Sequence, residues 1–140
     1  MTSAICNITF DCADPPALAR FWGQVTGLPV IEEPQPGYPD SAVGDSRPRL
    51  YFVKVPEKKI VKNRVHLDIM PDDRTQDEEI ARLIRLGAAI VSDRRPDVGW
   101  VIMADPGGQR VLRRNEPRRA RRRPGGGKLR IGAIRAPGSG

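Results

Sequence analysis

His66 and Asp68 stand two residues apart in Arg64-Val65-His66-Leu67-Asp68-Ile69, and His66 is the chain's only histidine. Apolar and polar residues alternate through this run, so it reads as a strand with His66 and Asp68 on one face. An imidazole takes up and releases protons near neutral pH, and a neighbouring carboxylate orients it. The pair therefore suits proton movement at a carbon next to a carbonyl, with His66 as the base and Asp68 positioning it. The same pattern opens the chain as Ile5-Cys6-Asn7-Ile8-Thr9-Phe10, which makes Asn7 the counterpart of His66. Asn7 and Thr9 offer an amide and a hydroxyl to hold a ligand oxygen, and Trp100 offers a ring to stack on a planar ligand. A site where two such halves meet would receive all five residues. The plainer alternative makes His66 a hydrogen-bonded polar residue and pairs Asp68 with Arg64 on the same face.

Two similar sets of elements must position these residues. After the first strand, Asp14-Pro15 reads as a helix start, with Asp as N-cap and Pro at the first helical position. Leu18, Phe21, Trp22 and Val25 form one apolar stripe, which assigns Trp22 to the core, and Gly27 ends the helix. Residues 34–48 are rich in turn formers around a short strand near Ser41–Gly44, and Leu50–Val55 reads as a strand stopped by Pro56. The charged segment 57–63 is the expected seam. Beyond the second strand copy, Thr75-Gln76-Asp77-Glu78 has the form of a capping box. Ile80, Leu83 and Ile84 supply the stripe, and Gly87 the stop. Glu78 and Glu79 read as helix-start acids with no further role. Strands follow near Ala89–Val91, Trp100–Met103 and Val111-Leu112, with Asp105-Pro106-Gly107-Gly108 as a turn. Two βαβββ units offset by roughly sixty residues are the simplest account of this order. The class is α+β.

Residues 115–140 carry eight basic side chains against Glu116, which accounts for the whole formal charge of +7 and leaves residues 1–114 neutral. The expected division is a domain over 1–114 and an Arg/Gly/Pro-rich disordered tail over 115–140. Clustered arginines invite non-specific nucleic-acid binding, yet no aromatic is interleaved with them, so a solvated tail is the preferred reading. Cys6 and Cys12 are six residues apart, roughly 20 Å along a strand at about 3.3 Å per residue, out of disulfide reach. Cys6 is expected to pack as a small hydrophobe beside Ile8 and Phe10. Reduced thiols and the lack of a long apolar run suggest a cytoplasmic protein with no membrane association.

Asn7–Asp14, Phe21-Trp22, Thr26-Gly27-Leu28, Asn63–Asp68, and Gly99-Trp100-Val101 leading to Asp105-Pro106-Gly107-Gly108 together resemble the vicinal oxygen chelate superfamily. The likeness is to its glyoxalase-like, bleomycin-resistance-type domains. It implies two βαβββ modules forming a half-open barrel, a homodimer, and a small organic molecule bound in the cup. Metal-dependent members place ligands on the first and last strand of each module. By motif these positions fall on Asn7 and His66, and near Phe52 and Leu112, so the resemblance implies no metal site, with His66 the one ligand if there is any. The turn continues as Gln109-Arg110-Val111-Leu112, where the family carries a glutamate, and the segment is shortened and basic. The reading that follows is a metal-independent small-molecule binder, acting by sequestration or as a lyase or isomerase on a carbonyl compound. Its rivals are a metal-dependent lyase or dioxygenase using His66, and a nucleic-acid-associated protein acting through the tail.

Overall fold

The computed structural model describes residues 1–61, 63–108, 110–114 and 128–131. It divides into two units, Met1–Lys58 and Lys59–Gly140, and the boundary falls inside the charged segment 57–63.

In the first unit Asp14 caps α1 (Pro15–Thr26) by accepting a hydrogen bond from the Ala17 N–H. Gly27 closes the helix at φ 71°, a left-handed conformation that a Cβ would strain. Three residues of the expected stripe, Leu18, Phe21 and Trp22, lie in the core, the last two packed edge to face, while Val25 is half-buried. The strands β1 (Asn7–Cys12), β2 (Val30–Glu32), β3 (Ser41–Val43) and β4 (Arg49–Lys54) form a sheet in the order β1-β4-β3-β2. The first strand runs parallel to the last, and the other neighbours are antiparallel. Phe10 and Phe52 are register partners with stacked rings on the side that α1 covers, and Phe52 is fully buried.

The second unit follows a similar plan with a fifth strand. Its strands β5 (Leu67–Ile69), β6 (Ala89–Asp93), β7 (Val101–Ala104) and β8 (Arg110–Arg114) accompany α2 (Gln76–Arg85), with β5 parallel to β8 and β8 antiparallel to β7. The sheet, which includes β9 (Lys128–Ile131), has the order β5-β9-β8-β7-β6 with an added β5–β8 pairing. Thr75 and Glu78 complete the capping box in both directions. Ile80 and Leu83 of α2 are buried, as are Val101 and Met103 of β7, whereas Ile84 of the expected stripe is exposed. The Asp105 turn forms, its carboxylate accepting from the Gly107 N–H at 2.9 Å. The α+β class and the doubled βαβββ order are therefore as the sequence leads one to expect. Among the described residues no helix is long and apolar enough to cross a membrane.

Several details depart from expectation. Cys6 lies before β1 and is exposed, whereas Cys12 is the buried thiol, because the strand begins at Asn7 and ends on the helix side. A short helix α3 (Arg95–Val98) separates β6 from β7. Within the segment assigned to a disordered tail, Lys128–Ile131 form β9, antiparallel to both β5 and β8. Its alternation of Leu129 and Ile131 with Lys128 and Arg130 is the strand pattern that the surrounding arginines and glycines obscured. The remaining residues of 115–140 lie outside the described ones. Glu79 is not a plain helix-start acid. It is buried, and its two oxygens bind Arg74 at 3.0 Å and Arg82 at 2.9 Å.

Asp93, at the end of β6, is held by the side chain and then the backbone N–H of Arg95, which draw its carboxyl down to about 2. Arg95 also reaches Asp77 in the first turn of α2. A lowered carboxylate contributes stability above its unfolded value, about 3.9, and loses it as pH falls through the folded value. The melting temperature should therefore drop between about pH 4 and 2, and Asp93→Asn should flatten that drop. Independently, Thr75→Ala should cost about 1 kcal/mol in urea unfolding through loss of the cap.

Candidate functional site

The parallel register of β1 with β4 sets Asn7 beside Arg49 and Thr9 beside Tyr51. Ile8, Phe10 and Phe52 alternate with these residues and take the side covered by α1, so Asn7, Thr9, Arg49 and Tyr51 share the opposite face. That face is left open by α1, and on it Thr9 is exposed and the other three are half-buried. A chain of polar contacts crosses it. Arg49 Nε donates to Asn7 Oδ1 at 3.3 Å. The same guanidinium lies 5.9 Å from the centre of the Tyr51 ring, within cation–π range. The Tyr51 hydroxyl donates to Asp40 Oδ2 at 3.3 Å, and Asp40 is buried. Burial raises the Tyr51 phenol above its ordinary value, the Asp40 charge and hydrogen bond add to this, and Arg49 opposes it. Tyr51 therefore remains a protonated donor at neutral pH.

The five residues expected at the site divide between the units. Asn7 and Thr9 lie on β1 of the first, Asn7 half-buried and Thr9 exposed. His66, Asp68 and Trp100 belong to the second. His66 immediately precedes β5, is half-buried, and its Nδ1 is buried with no hydrogen-bond partner among the described residues. Asp68 on β5 is exposed and is in register with Leu112 of β8, which in turn partners Ile102 of β7. Trp100 lies two residues before Ile102 and is half-buried. Asp68 shares the strand run with His66, as expected, but does not engage Nδ1.

Sequence reading missed Arg49, Tyr51 and Asp40 as a connected group. The signal was present, since Arg49 and Tyr51 alternate with Leu50 and Phe52. Placing the last-strand site position near Phe52 instead of Tyr51 is a shift of one residue, which exchanges the two faces of a strand. Phe52 belongs to the core.

The open face of the first unit does not fit a divalent metal. Asn7 Oδ1 already accepts from a guanidinium, so a fixed positive charge stands where the cation would bind. Among the described residues no group of three or more His, Cys, Asp or Glu side chains is placed to hold a metal ion. The open pocket of the first unit lies elsewhere, at the start of α1, and none of the five expected residues lines it.

A family model described as a glyoxalase-like domain matches residues 7–112. No curated protein matches the chain. Among solved structures, the hypothetical protein SA1046 from S. aureus is 11% identical with a TM-score of 0.47, the match covering 79% of this chain and 91% of that one. A glyoxalase/bleomycin resistance protein/dioxygenase family enzyme from Burkholderia phytofirmans PsJN is 15% identical with a TM-score of 0.46, covering 74% and 91%.

The contacts of Tyr51 set an order among variants. In a spectrophotometric pH titration of its phenol, Asp40→Asn should lower the midpoint by removing a negative charge and an acceptor. Arg49→Met should raise it by removing the opposing cation. A midpoint that ignores both changes would mean that the three side chains do not interact in solution.

Proposed function

The chain belongs to the glyoxalase-like domain family, and on that premise we propose that it is a metal-independent small-molecule-binding protein whose first unit takes an aromatic or other planar carboxylate. One observation carries this reading: Arg49 is fixed on the open face by Asn7 on one side and Tyr51 on the other. The Asn7 contact uses Nε and leaves the terminal nitrogens of the guanidinium for a ligand. A guanidinium held in place presents parallel N–H donors, the geometry that a carboxylate accepts in bidentate fashion. Tyr51 supplies a ring face beside it, Thr9 a hydroxyl, and the Asn7 amide nitrogen a further donor for a ligand oxygen. Holding Arg49 before the ligand arrives lowers the ordering cost of binding. Sequestration of such a molecule by a cytoplasmic homodimer is the activity we assign.

The buried, unpartnered Nδ1 of His66 favours a second reading, in which the second unit does chemistry on a carbonyl compound. His66 removes the proton from the carbon next to the carbonyl. An isomerase returns it to that carbon or its neighbour, whereas a lyase instead expels a leaving group from the adjacent carbon with its bonding electrons as the double bond forms. Trp100 stacks on the substrate, and Asp68 helps to orient it.

Calorimetric titration with benzoate and phenylpyruvate, with benzyl alcohol as the uncharged control, tests the first reading. Both acids should bind, more weakly at higher ionic strength, and the alcohol should not. Arg49→Met should weaken them about tenfold or more, while Tyr51→Phe keeps the ring and has a smaller effect. Equal binding to wild type and Arg49→Met would remove the open face from consideration. Bound transition metal at one equivalent in protein purified without an affinity tag would remove the metal-independent reading. For the second reading, loss of phenylpyruvate C–H exchange into deuterated water in His66→Ala, with binding retained, is the expected signature.

A further inference from the structure

At the start of α1 the first unit holds an open pocket of about 580 Å3, lined only by residues of that unit. Four carboxylates, those of Asp14, Glu32, Glu33 and Asp40, line it with a single cation, Lys54. A helix start ordinarily attracts anions through its free N–H groups. Here Pro15 and Pro16 occupy the first two helical positions and have no N–H to offer, and the Ala17 N–H is already donated to Asp14 Oδ1 at 3.1 Å. The capacity of this helix end for anions is used up, and the pocket it borders is net negative.

A separate observation points to a ligand. Ser41 lines the pocket, is 1% exposed, and its Oγ has no hydrogen-bond partner among the described residues. Such buried orphans are uncommon because each one costs stability. The β2–β3 register sets Glu32 directly opposite Ser41, so the two side chains leave the sheet on the same face. Lys54 lies two residues beyond Phe52, the partner of Ser41 on β4, and shares that face as well. The hydroxyl therefore points toward the same side as the charged lining, not toward the open face that carries Arg49.

We propose that this pocket binds a small organic cation, a primary ammonium on a short apolar body. Glu32, directly opposite Ser41, supplies the pairing negative charge, Ser41 Oγ accepts one ammonium N–H, and the rings of Pro15, Pro16 and Pro39 contact the apolar body. An ammonium group has three donors and no acceptor, which suits a lining of carboxylates and one unpaired hydroxyl. None of Asn7, Thr9, Arg49 and Tyr51 lines this pocket, so carboxylate binding at Arg49 and ammonium binding here can each fail without the other.

The test is titration of the 15N-labelled full chain with n-butylammonium chloride at constant ionic strength, with sodium butyrate and n-butanol as controls of similar size. Butylammonium should give saturable amide shifts at Glu32, Ser41 and Lys54, and neither control should. Glu32→Gln and Ser41→Ala should each weaken binding about threefold or more. Ser41→Ala should also leave the melting temperature of the free chain equal or higher, since it deletes an unpaired buried hydroxyl. No saturable shifts, an equal response to butyrate or butanol, or unchanged affinity in either variant overturns the proposal.

Discussion

The parallel pairing of β1 with β4 is the constraint from which the rest of the first unit follows. Strands adjacent in a parallel ladder cannot be joined by a tight turn, so the chain must leave the sheet and return. It does so through α1, which covers one face, and then through β2 and β3 before reaching β4. The register then decides which residues meet. Phe10 falls beside Phe52 under the helix, and Asn7 falls beside Arg49 on the open side. A slip by one residue would bury the guanidinium and expose the aromatic pair. The core thus enforces the polar arrangement, because the hydrophobic cost of the wrong register is far larger than any single hydrogen bond on the open face.

The second unit obeys the same constraint through β5 and β8 but secures its helix differently. In α1 the stripe of large apolar residues suffices, with Trp22 and Phe21 buried. The shorter α2 buries the side chain of Glu79 as well, which is matched by two guanidiniums. Removing either arginine would leave part of a buried carboxylate uncompensated, which is costlier than losing an exposed ion pair. Arg95 adds a tie from the end of β6 to the first turn of α2, where its charge acts between Asp93 and Asp77. The two units share the βαβββ order without sharing the means of holding it.

Much of this was legible in the sequence because it is written in short-range patterns. Asp14-Pro15, Gly27 and the Thr75–Glu78 box specify helix ends by local geometry alone, and the alternation around Asn7 and His66 announces strands. What was not legible depends on pairing between distant segments. The sequence shows that Arg49 and Tyr51 share a face, but only the register shows that this is the face of Asn7. Glu79 looked like a surface acid because its partners Arg74 and Arg82 carry no mark of burial. β9 was hidden because four alternating residues in an arginine- and glycine-rich setting are too short a period to stand out. His66 was found, yet its expected partner Asp68 does not hold Nδ1, which neighbouring positions on a strand cannot guarantee.

Asp40 ties the two faces of the first unit together. It accepts from Tyr51 on the open side and lines the pocket at the start of α1. Its charge thereby serves two neighbours of opposite demand. Toward Tyr51 it adds to the upward push that burial already gives the phenol, and toward the pocket it adds to the negative charge of Glu32 and Glu33. Arg49 stands at the other end of the same contact chain, so positive and negative charge are separated across the sheet with a neutral aromatic between them. Had Arg49 and Asp40 been adjacent, they would neutralise each other and leave neither available to a ligand. Tyr51 stands between them in the contact chain, hydrogen-bonded to Asp40 and within cation–π range of Arg49. The tyrosine is thus the residue that lets a small sheet present both signs of charge.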